Sequence, residues 1–443
     1  MELRDLIVTP FIILFVYTGA YLIRPYVTDA VNLRYFFPAL TVRIFGAIAV
    51  GFIYQFYYSG GDTFSYHTFG SRIIWEAIMD SPYKGFKLLF SQGQNFEGVY
   101  EYATRIYFFR DPASYVIIQI ATFFDLFTFS SYSATAVLFA VISFTGSWMF
   151  FLTFYEINPL LHRWFAIASF FIPSVFFWGS GILKDSITLA ALGSSTYFFH
   201  RMLIQRKVSI SGIFFLIISL YFIFAIKKFI LQAFFPAVIV WFLASYYNKI
   251  HNFFIRAFCV PIVGILCIYF SYMAALQVGK GDSRYALNQI SNTARVTAHD
   301  IRYWSGRNAG SGYSLGELND TPESMLRLAP QAIVVSLFRP FLWEVNNPLM
   351  LFSALESMAL FIFTLYAIKR RGWRTFKTLT GTHVAFCITF VLIFAFAVGV
   401  STFNFGTLVR YKIPLMPFFV TLLAIIAFHE NNDRKLSELD STE

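Results

Sequence analysis

Runs of about 20 consecutive apolar residues recur along this chain and constrain its fold more than any other feature. A helical run of this length matches the thickness of the hydrocarbon core of a bilayer. Only 13% of the 443 residues are charged, against about 25% in soluble domains. This composition excludes a soluble enzyme, a disordered tail protein and a secreted disulfide scaffold. The runs predict eleven membrane spans, at residues 6–23, 36–57, 132–155, 163–180, 184–204, 208–226, 229–247, 253–274, 348–368, 378–400 and 406–428.

The runs predict an all-α fold, a polytopic transmembrane bundle of about eleven spans with external interfacial helices and one long external loop. Continuous runs favour helices over an outer-membrane barrel, whose strands alternate apolar and polar residues. The predicted segments are the first two spans (1–57), an external segment with interfacial helices (58–131), a six-span core (132–274), an external loop (275–347), three C-terminal spans (348–428) and a cytoplasmic tail (429–443).

The distribution of Lys and Arg predicts the orientation of these spans. Short loops that stay in the cytoplasm carry an excess of both residues, and the cluster between Lys369 and Lys377 is the densest in the chain. Its placement inside predicts an external N-terminus and a cytoplasmic C-terminus. The expected location of this multi-pass protein is a bacterial inner membrane. The net charge of +10 follows from this topology and does not indicate a nucleic-acid partner.

Two apolar stretches of the 58–131 segment are too short to span a bilayer. The first has apolar residues at helical spacing from Tyr66 to Ile78, which predicts a helix lying on the outer surface of the membrane. The second, Tyr115–Phe129, contains Asp125 and favours an interfacial or re-entrant helix. If it is instead a twelfth span, the N-terminus and residues 58–113 move to the cytoplasm.

The strongest local motif is YYSGGDTFSYH at residues 57–67, which follows the second span. Its two glycines permit a sharp turn and the close approach of a ligand. A carboxylate at this depth is partly desolvated, which raises its basicity and suits Asp62 to general-base catalysis. An ordinary helix N-cap explains Asp62 as well, and one residue can serve both purposes. Tyr66 and His67 are predicted to lie with the substrate, and we interpret His67 as a polar interfacial residue and not a metal ligand.

Basic residues on the predicted external side form a second motif. Six cations from distant parts of the chain suit an anionic group such as a lipid phosphate. They are Lys184, Lys227, Lys228, Arg339, Arg410 and Lys412. The alternative is that they extend to the interface and pair with nearby carboxylates such as Asp185, Glu344 or Asp62. The predicted phosphate-binding or substrate-binding residues are Tyr66, His67, Lys184, Asp185, Lys227, Lys228, Arg339, Glu344, Arg410, Tyr411 and Lys412.

Cofactor motifs are sparse in this sequence. The three cysteines lie in apolar runs and form no zinc or haem pattern, and the Gly-rich stretch 305–316 lacks the GK[ST] end of a phosphate loop. Because no predicted cytoplasmic segment is long enough for a nucleotide-binding domain, no nucleotide is expected, and the use of a divalent cation stays open. Arg43, Glu356 and His383 lie within predicted spans, where we interpret them as structural pairs.

The layout resembles the multipass membrane glycosyltransferases of the C-type fold, which use lipid-phosphate sugar donors. The resemblance rests on an early span that ends in Asp62, the interfacial helices after it, a many-span body and a late Arg-Tyr-x-x-Pro motif that begins at Arg410. It implies that Asp62 acts as the catalytic base or lies beside the donor phosphate, and that the partners are membrane lipid and a lipid-linked sugar. An extra span precedes the one that bears Asp62, and no second acidic residue adjoins it, which leaves metal use open.

Other functions remain alternatives. Arg295 and Gly306 fit the Arg-x10-Gly spacing of lipid-linked O-antigen polymerases. A secondary transporter or lipid flippase is a further alternative, although no internal repeat or broken pair of spans is visible in the sequence. A non-catalytic membrane scaffold also stays open. An enzyme should gather Asp62 and the cations at the external membrane edge, whereas a transporter should gather ionisable groups near the midplane.

We expect Ser91→Cys and Ser311→Cys variants to react with a membrane-impermeant thiol reagent from the external side only, because the positive-inside distribution places both segments outside. Labelling intact cells and inverted vesicles measures this. Modification of Ser91→Cys only from the cytoplasm would overturn the orientation and would move Asp62 with it.

Overall fold

The computed structural model describes residues 2–247, 296 and 327–440, apart from residues 92, 94, 95, 373, 380 and 403. Several features predicted from the sequence lie outside the described residues: the span 253–274, most of the loop 275–347, the Gly-rich stretch 305–316, and the Arg295 and Gly306 pair.

The regular structure of the described chain is helical. In chain order, the α-helices are α1 (Leu3–Val27), α2 (Leu33–Phe56), α3 (Asp62–Tyr66), α4 (Arg72–Asp80), α5 (Pro82–Phe90), α6 (Tyr100–Ala103), α7 (Pro112–Thr128), α8 (Tyr132–Ile157), α9 (His162–Ala166), α10 (Pro173–Trp178), α11 (Lys184–Phe199), α12 (Ile210–Ile226), α13 (Lys228–Tyr247), α14 (Ala329–Phe338), α15 (Pro348–Arg371), α16 (Arg374–Leu379), α17 (Thr382–Ser401), α18 (Phe405–Tyr411) and α19 (Met416–Asp440). Turns of π-helix lie at His67–Ser71, Ile167–Phe171 and His200–Ile204.

Six of these helices, α1, α2, α8, α13, α15 and α17, are long and apolar enough to cross a membrane. A seventh span is formed if α18 and the helix at Ile413–Phe428, which meet at a bend of 42°, cross together. The protein is therefore a multi-pass helical membrane protein, as the apolar runs predicted.

The finer count of eleven spans stays a prediction. The predicted span 163–180 is divided into α9, a π-helical turn and α10. The predicted span 184–204 comprises α11 and another π-helical turn, and α12 has only 17 residues. Helix α12 is apolar but shorter than a typical span, and π-helical turns interrupt the other two predicted spans.

The chain divides into two units, of which the first comprises Met1–Phe150, Val175–Tyr197 and Phe214–Lys227. Helix α2 contributes buried apolar residues along its whole length, from Phe36 to Tyr54. Glycines allow helix backbones in this unit to meet, since a Cβ atom at Gly146 would lie 2.2 Å from the carbonyl oxygen of Ala190. Small residues at such contacts are typical of helix packing in membranes.

The short helices α3 to α6 follow α2 in the first unit. The apolar residues of α4, Ile73, Ile74, Ala77 and Ile78, are buried. Helix α4 packs against α5 and α7, and Gly85 of α5 permits the close approach to Ile78. Large apolar side chains are exposed instead on α5, at Tyr83, Phe86 and Phe90.

The second unit comprises Phe151–Ser174, Phe198–Ile213 and Lys228–Glu443. Helix α17 packs against α13, α14 and α19. Its aromatic side chains form the contacts, since Phe386 stacks on Trp241 with ring centroids 4.1 Å apart and Phe390 contacts Phe418 at 4.4 Å. This unit is thus built around a buried aromatic core, in which ring stacking adds to the packing energy.

We expect Gly146→Ala to destabilise the protein by about 1–3 kcal/mol. The new methyl group would overlap the backbone of Ala190, which cannot rotate away as a side chain could. Gly19→Ala is the control, since no atom lies within 4 Å of its Cβ position and alanine favours the helix. Thermal unfolding in detergent compares the two variants. Equal melting temperatures would contradict the close contact.

Candidate functional site

A tight turn follows α2 and positions the motif at residues 57–67. Gly60 and Gly61 have φ values of 134° and 127°, which glycine adopts without strain, and the Gly60 N–H donates to the carbonyl of Tyr54 at 2.9 Å. The predicted sharp turn is therefore present. Asp62 is the first residue of α3 and is half-buried, while Gly61 occupies the N-cap position. A negative charge at this end of a helix is favourable.

Tyr66 connects the turn with a second loop of the first unit. Its buried ring stacks on Phe108 with centroids 5.2 Å apart. Three residues later, the Asp111 carboxylate accepts a hydrogen bond from the Lys184 ammonium at 3.2 Å. The chain of contacts thus runs from the helix that begins at Asp62 to Lys184.

A second chain of contacts reaches the same lysine. Gly61 packs against the ring of Tyr54, which contacts Trp178 at a centroid distance of 6.1 Å. Trp178 begins the short loop that ends at Lys184. The Asp62 turn and the loop that leads to Lys184 are therefore connected through Tyr54 and Trp178.

Asp111 is the N-cap of α7 and forms the ion pair with Lys184. Burial raises the pKa of the Asp111 carboxyl, but the Lys184 ammonium, the Ser114 hydroxyl and the Ala113 N–H outweigh burial and hold this pKa below its ordinary value of 3.8. Asp111 was not among the predicted site residues, although an Asp-Pro pair before an apolar run is a recognisable helix start.

Asp185 and Lys227 form a neighbouring ion pair in which both side chains are almost completely buried. Buried pairs of this kind depend on each other, because removing one partner leaves an uncompensated charge. Lys184 and Lys227 each contact a carboxylate, which is the pairing that the alternative interpretation of the cations predicted. The two lysines are held in place by Asp111 and Asp185.

His67 lies in the interior and not at an interface. Its side chain is completely buried, with Nε2 3.4 Å from Oδ1 of the equally buried Asp125, and its ring meets the ring of Tyr132 edge-on. Asp125 also accepts a hydrogen bond from Thr135 at 2.7 Å. His67 is therefore not placed to touch a substrate directly.

The remaining predicted residues belong to the second unit. Arg339 binds Glu344 through two contacts, one of them 3.1 Å long. Burial raises the pKa of Glu344, but hydrogen bonds from Arg339 and from the Phe341 N–H outweigh it and lower this pKa below 4.5. Lys412 is fully buried at the bend between α18 and the following helix, where it donates to Ser357 Oγ at 3.1 Å and to the Arg339 carbonyl at 3.3 Å.

Lys228, Arg410 and Tyr411 are half-buried at helix ends. Lys228 is the first residue of α13, and Arg410 and Tyr411 are the last two of α18. The ring of Tyr411 contacts Phe229 at a centroid distance of 6.3 Å. Their predicted contacts with phosphate stay predictions.

Two polar residues of the second unit's spans have the structural partners that we expected of them. The carboxylate of Glu356 accepts hydrogen bonds from the Ser174 N–H at 2.8 Å and from the Ser174 hydroxyl at 2.7 Å. His383 Nδ1 accepts from Trp241 Nε1 at 3.0 Å.

A cavity of about 500 Å³ opens beside the Asp62 turn in the first unit. Gly60 and Phe64, on either side of Asp62 in the sequence, line this cavity, but Asp62 itself does not. The lining residues are Glu2, Asp5, Gly51, Gln55, Ser59, Gly60, Phe64, Thr68, Phe69, Arg72 and Tyr132. No sequence pattern predicts Glu2, Asp5 and Arg72 as site residues, because no local spacing connects the start of α1 with α4.

No group of three or more His, Cys, Asp and Glu side chains that could hold a metal ion is present within the described residues. Comparisons of the chain with protein-family models, with curated proteins and with solved structures found no match. The arrangement of the site therefore provides the basis for a functional proposal.

We expect Asp111→Asn to lower the free energy of unfolding at pH 7 by about 0.5–1 kcal/mol, a modest value because the pair is partly exposed to solvent. Since folding lowers the pKa of Asp111, the stabilisation is complete above the ordinary pKa of 3.8 and is lost as the pH falls through the folded-state value. Unfolding measured from pH 7 to pH 3 should show the two proteins converge at acid pH.

Lys184→Gln serves as the partner control. Lys184→Gln should lower the free energy of unfolding about as much as Asp111→Asn does. The double variant should lower it little more than either single variant. Additive losses would show that the two side chains do not stabilise each other.

Proposed function

We propose that this protein is an integral membrane glycosyltransferase that transfers a sugar from a polyprenyl-phosphate-type donor to an acceptor at the external face. The observation that carries the proposal is the placement of Asp62. It lies in a glycine turn at the end of a membrane-spanning helix, and contacts through Tyr54 and Tyr66 connect this turn with Lys184. The geometry supports a carboxylate and an ammonium group acting at one end of the first unit.

In the proposed reaction, Asp62 takes the proton from an acceptor hydroxyl group while the oxygen of that hydroxyl group attacks the anomeric carbon of the donor sugar. The bond between that carbon and the phosphate oxygen breaks, and the lipid phosphate leaves with the bonding electrons. Lys184 and Lys227 provide positive charge for the phosphate, and such charge is most effective when it is already oriented. Asp111 and Asp185 orient the two ammonium groups.

The proposal includes the finer topology predicted from the sequence. Eleven spans with the N-terminus outside would place the Asp62 turn and the helices α3 to α6 at the external membrane surface, where a lipid-linked donor presents its sugar. The proposed location is a bacterial inner membrane. A divalent cation is not required by this mechanism, since the two lysines provide the positive charge.

A secondary transporter is the second candidate, and one observation favours it. The helices α18 and Ile413–Phe428 form a bent pair with the buried Lys412 at the break. Broken helices with ionisable groups are typical of transporter binding sites. The O-antigen polymerase alternative rests on Arg295 and Gly306, which are outside the part of the chain that the structure describes.

We expect Asp62→Asn to lower glycosyl transfer by about 10²-fold or more while leaving thermal stability near that of the wild type, because asparagine keeps the size of the side chain and removes the base. Transfer of radiolabelled sugar from a polyprenyl-phosphate donor in membranes measures this. Asp80→Asn is the matched control, since Asp80 is an exposed residue at the end of α4. Full activity of Asp62→Asn would overturn the enzyme assignment and favour the transporter.

A further inference from the structure

We propose that the cavity beside the Asp62 turn binds the neutral sugar of the acceptor, whose hydroxyl group is glycosylated. The inference rests on the proposed function and extends it, because the sequence assigned no residue to the acceptor. The volume of about 500 Å³ lies within the range of small-molecule sites and exceeds that of one sugar ring.

The charged residues that line the cavity, Glu2, Asp5 and Arg72, leave it with one net negative charge. Glu2 forms ion pairs with Arg72 at 2.5 Å and with Arg4 at 2.6 Å. The Arg72 guanidinium also donates to the Ser130 hydroxyl and to the Ser130 carbonyl. Because the lining carries a net negative charge, the cavity is a poor site for a phosphate group. A ligand without net charge fits it better.

Asp5 adds a second, more deeply buried carboxylate to the wall. It is only 5% exposed and accepts hydrogen bonds from the Ser131 hydroxyl at 2.8 Å and from the Ser133 N–H at 3.3 Å. These partners hold its charge in place without a ligand. Glu2, whose side chain is 44% exposed, provides carboxylate oxygens that accept hydrogen bonds from hydroxyl groups, which a sugar offers in number.

Aromatic rings supply the other surface that a sugar needs. Phe64 stacks on Tyr132 with ring centroids 4.8 Å apart, and both line the cavity. The ring of Phe69, which also lines it, is 55% exposed. The apolar C–H face of a sugar ring packs on such rings while its hydroxyl groups reach the polar wall. Carboxylates, a guanidinium and aromatic faces in one cavity therefore match a glycosyl group.

The position of the cavity connects it with the proposed base. Gly60 and Phe64 line the cavity, and Asp62 lies between them in the sequence at the start of α3. An acceptor sugar held against Phe64 would have a hydroxyl group near the turn that carries Asp62. The acceptor would thus approach the base from the cavity.

Saturation-transfer NMR tests this with full-length protein in lipid nanodiscs. The probes are the methyl β-glycosides of glucose, galactose, mannose and N-acetylglucosamine, and glycerophosphoethanolamine serves as a zwitterionic competitor. We expect at least one glycoside to bind, and the competitor not to displace it. Glu2→Gln should weaken binding by about tenfold or more, because it removes a charged acceptor and leaves the positive charge of Arg72 less compensated.

Two further variants complete the test. Thr68→Trp should abolish binding by filling the cavity. Glu101→Gln is the matched control, because Glu101 pairs with Lys84 in the same manner outside the cavity, and it should bind as the wild type does. If Thr68→Trp does not fold, the comparison of Glu2→Gln with Glu101→Gln decides. Binding that is equal in these two variants, displacement by the zwitterion, or no binding of any of the four glycosides would overturn the inference.

The failure of this inference differs from the failure of the proposed function. If Asp62→Asn abolishes transfer but no glycoside binds in the cavity, the enzyme assignment stands and the acceptor site is wrong. If a glycoside binds as expected but Asp62→Asn keeps full transfer activity, the cavity stands as a sugar site and the role of Asp62 is wrong.

Discussion

Arg43 lies in α2 with its side chain completely buried, and the packing of the first unit depends on how its guanidinium is bonded. It donates to the hydroxyl groups of Ser143 and Ser147 on α8 and to the backbone carbonyls of Val175 and Gly179. A buried charge without such partners is very costly in an apolar medium. The helices around α2 can therefore not separate without exposing this charge to hydrocarbon.

The same helix positions the candidate site at its other end. Arg43 connects α2 to Gly179, and the loop that contains Gly179 continues to Lys184. The end of α2 continues directly into the glycine turn before Asp62. The buried contact of Arg43 therefore connects with both polar groups of the proposed reaction, through α2 to Asp62 and through the loop after Gly179 to Lys184.

Individual residues show why sequence reasoning reached only part of the site. The turn at Gly60 and Gly61 was predictable because glycine adopts positive φ angles without strain, whatever the rest of the fold does. Lys184 was predicted as a phosphate ligand, and the structure shows its carboxylate partner, Asp111, 73 residues earlier in the chain. His67 was interpreted as interfacial but is buried against Asp125, because the packing of α7 covers it.

The sequence by itself determined that the chain is a helical membrane protein. A membrane-spanning helix needs about 20 consecutive apolar residues, and such a run is visible directly in the sequence. It also located the glycine turn and Asp62. The tertiary structure alone decided that α4 buries its apolar face against protein, and that Glu2, Asp5 and Arg72 share one cavity with Tyr132. These contacts join residues far apart in the chain, and the spacing of residues within one helix does not predict which other helix it packs against.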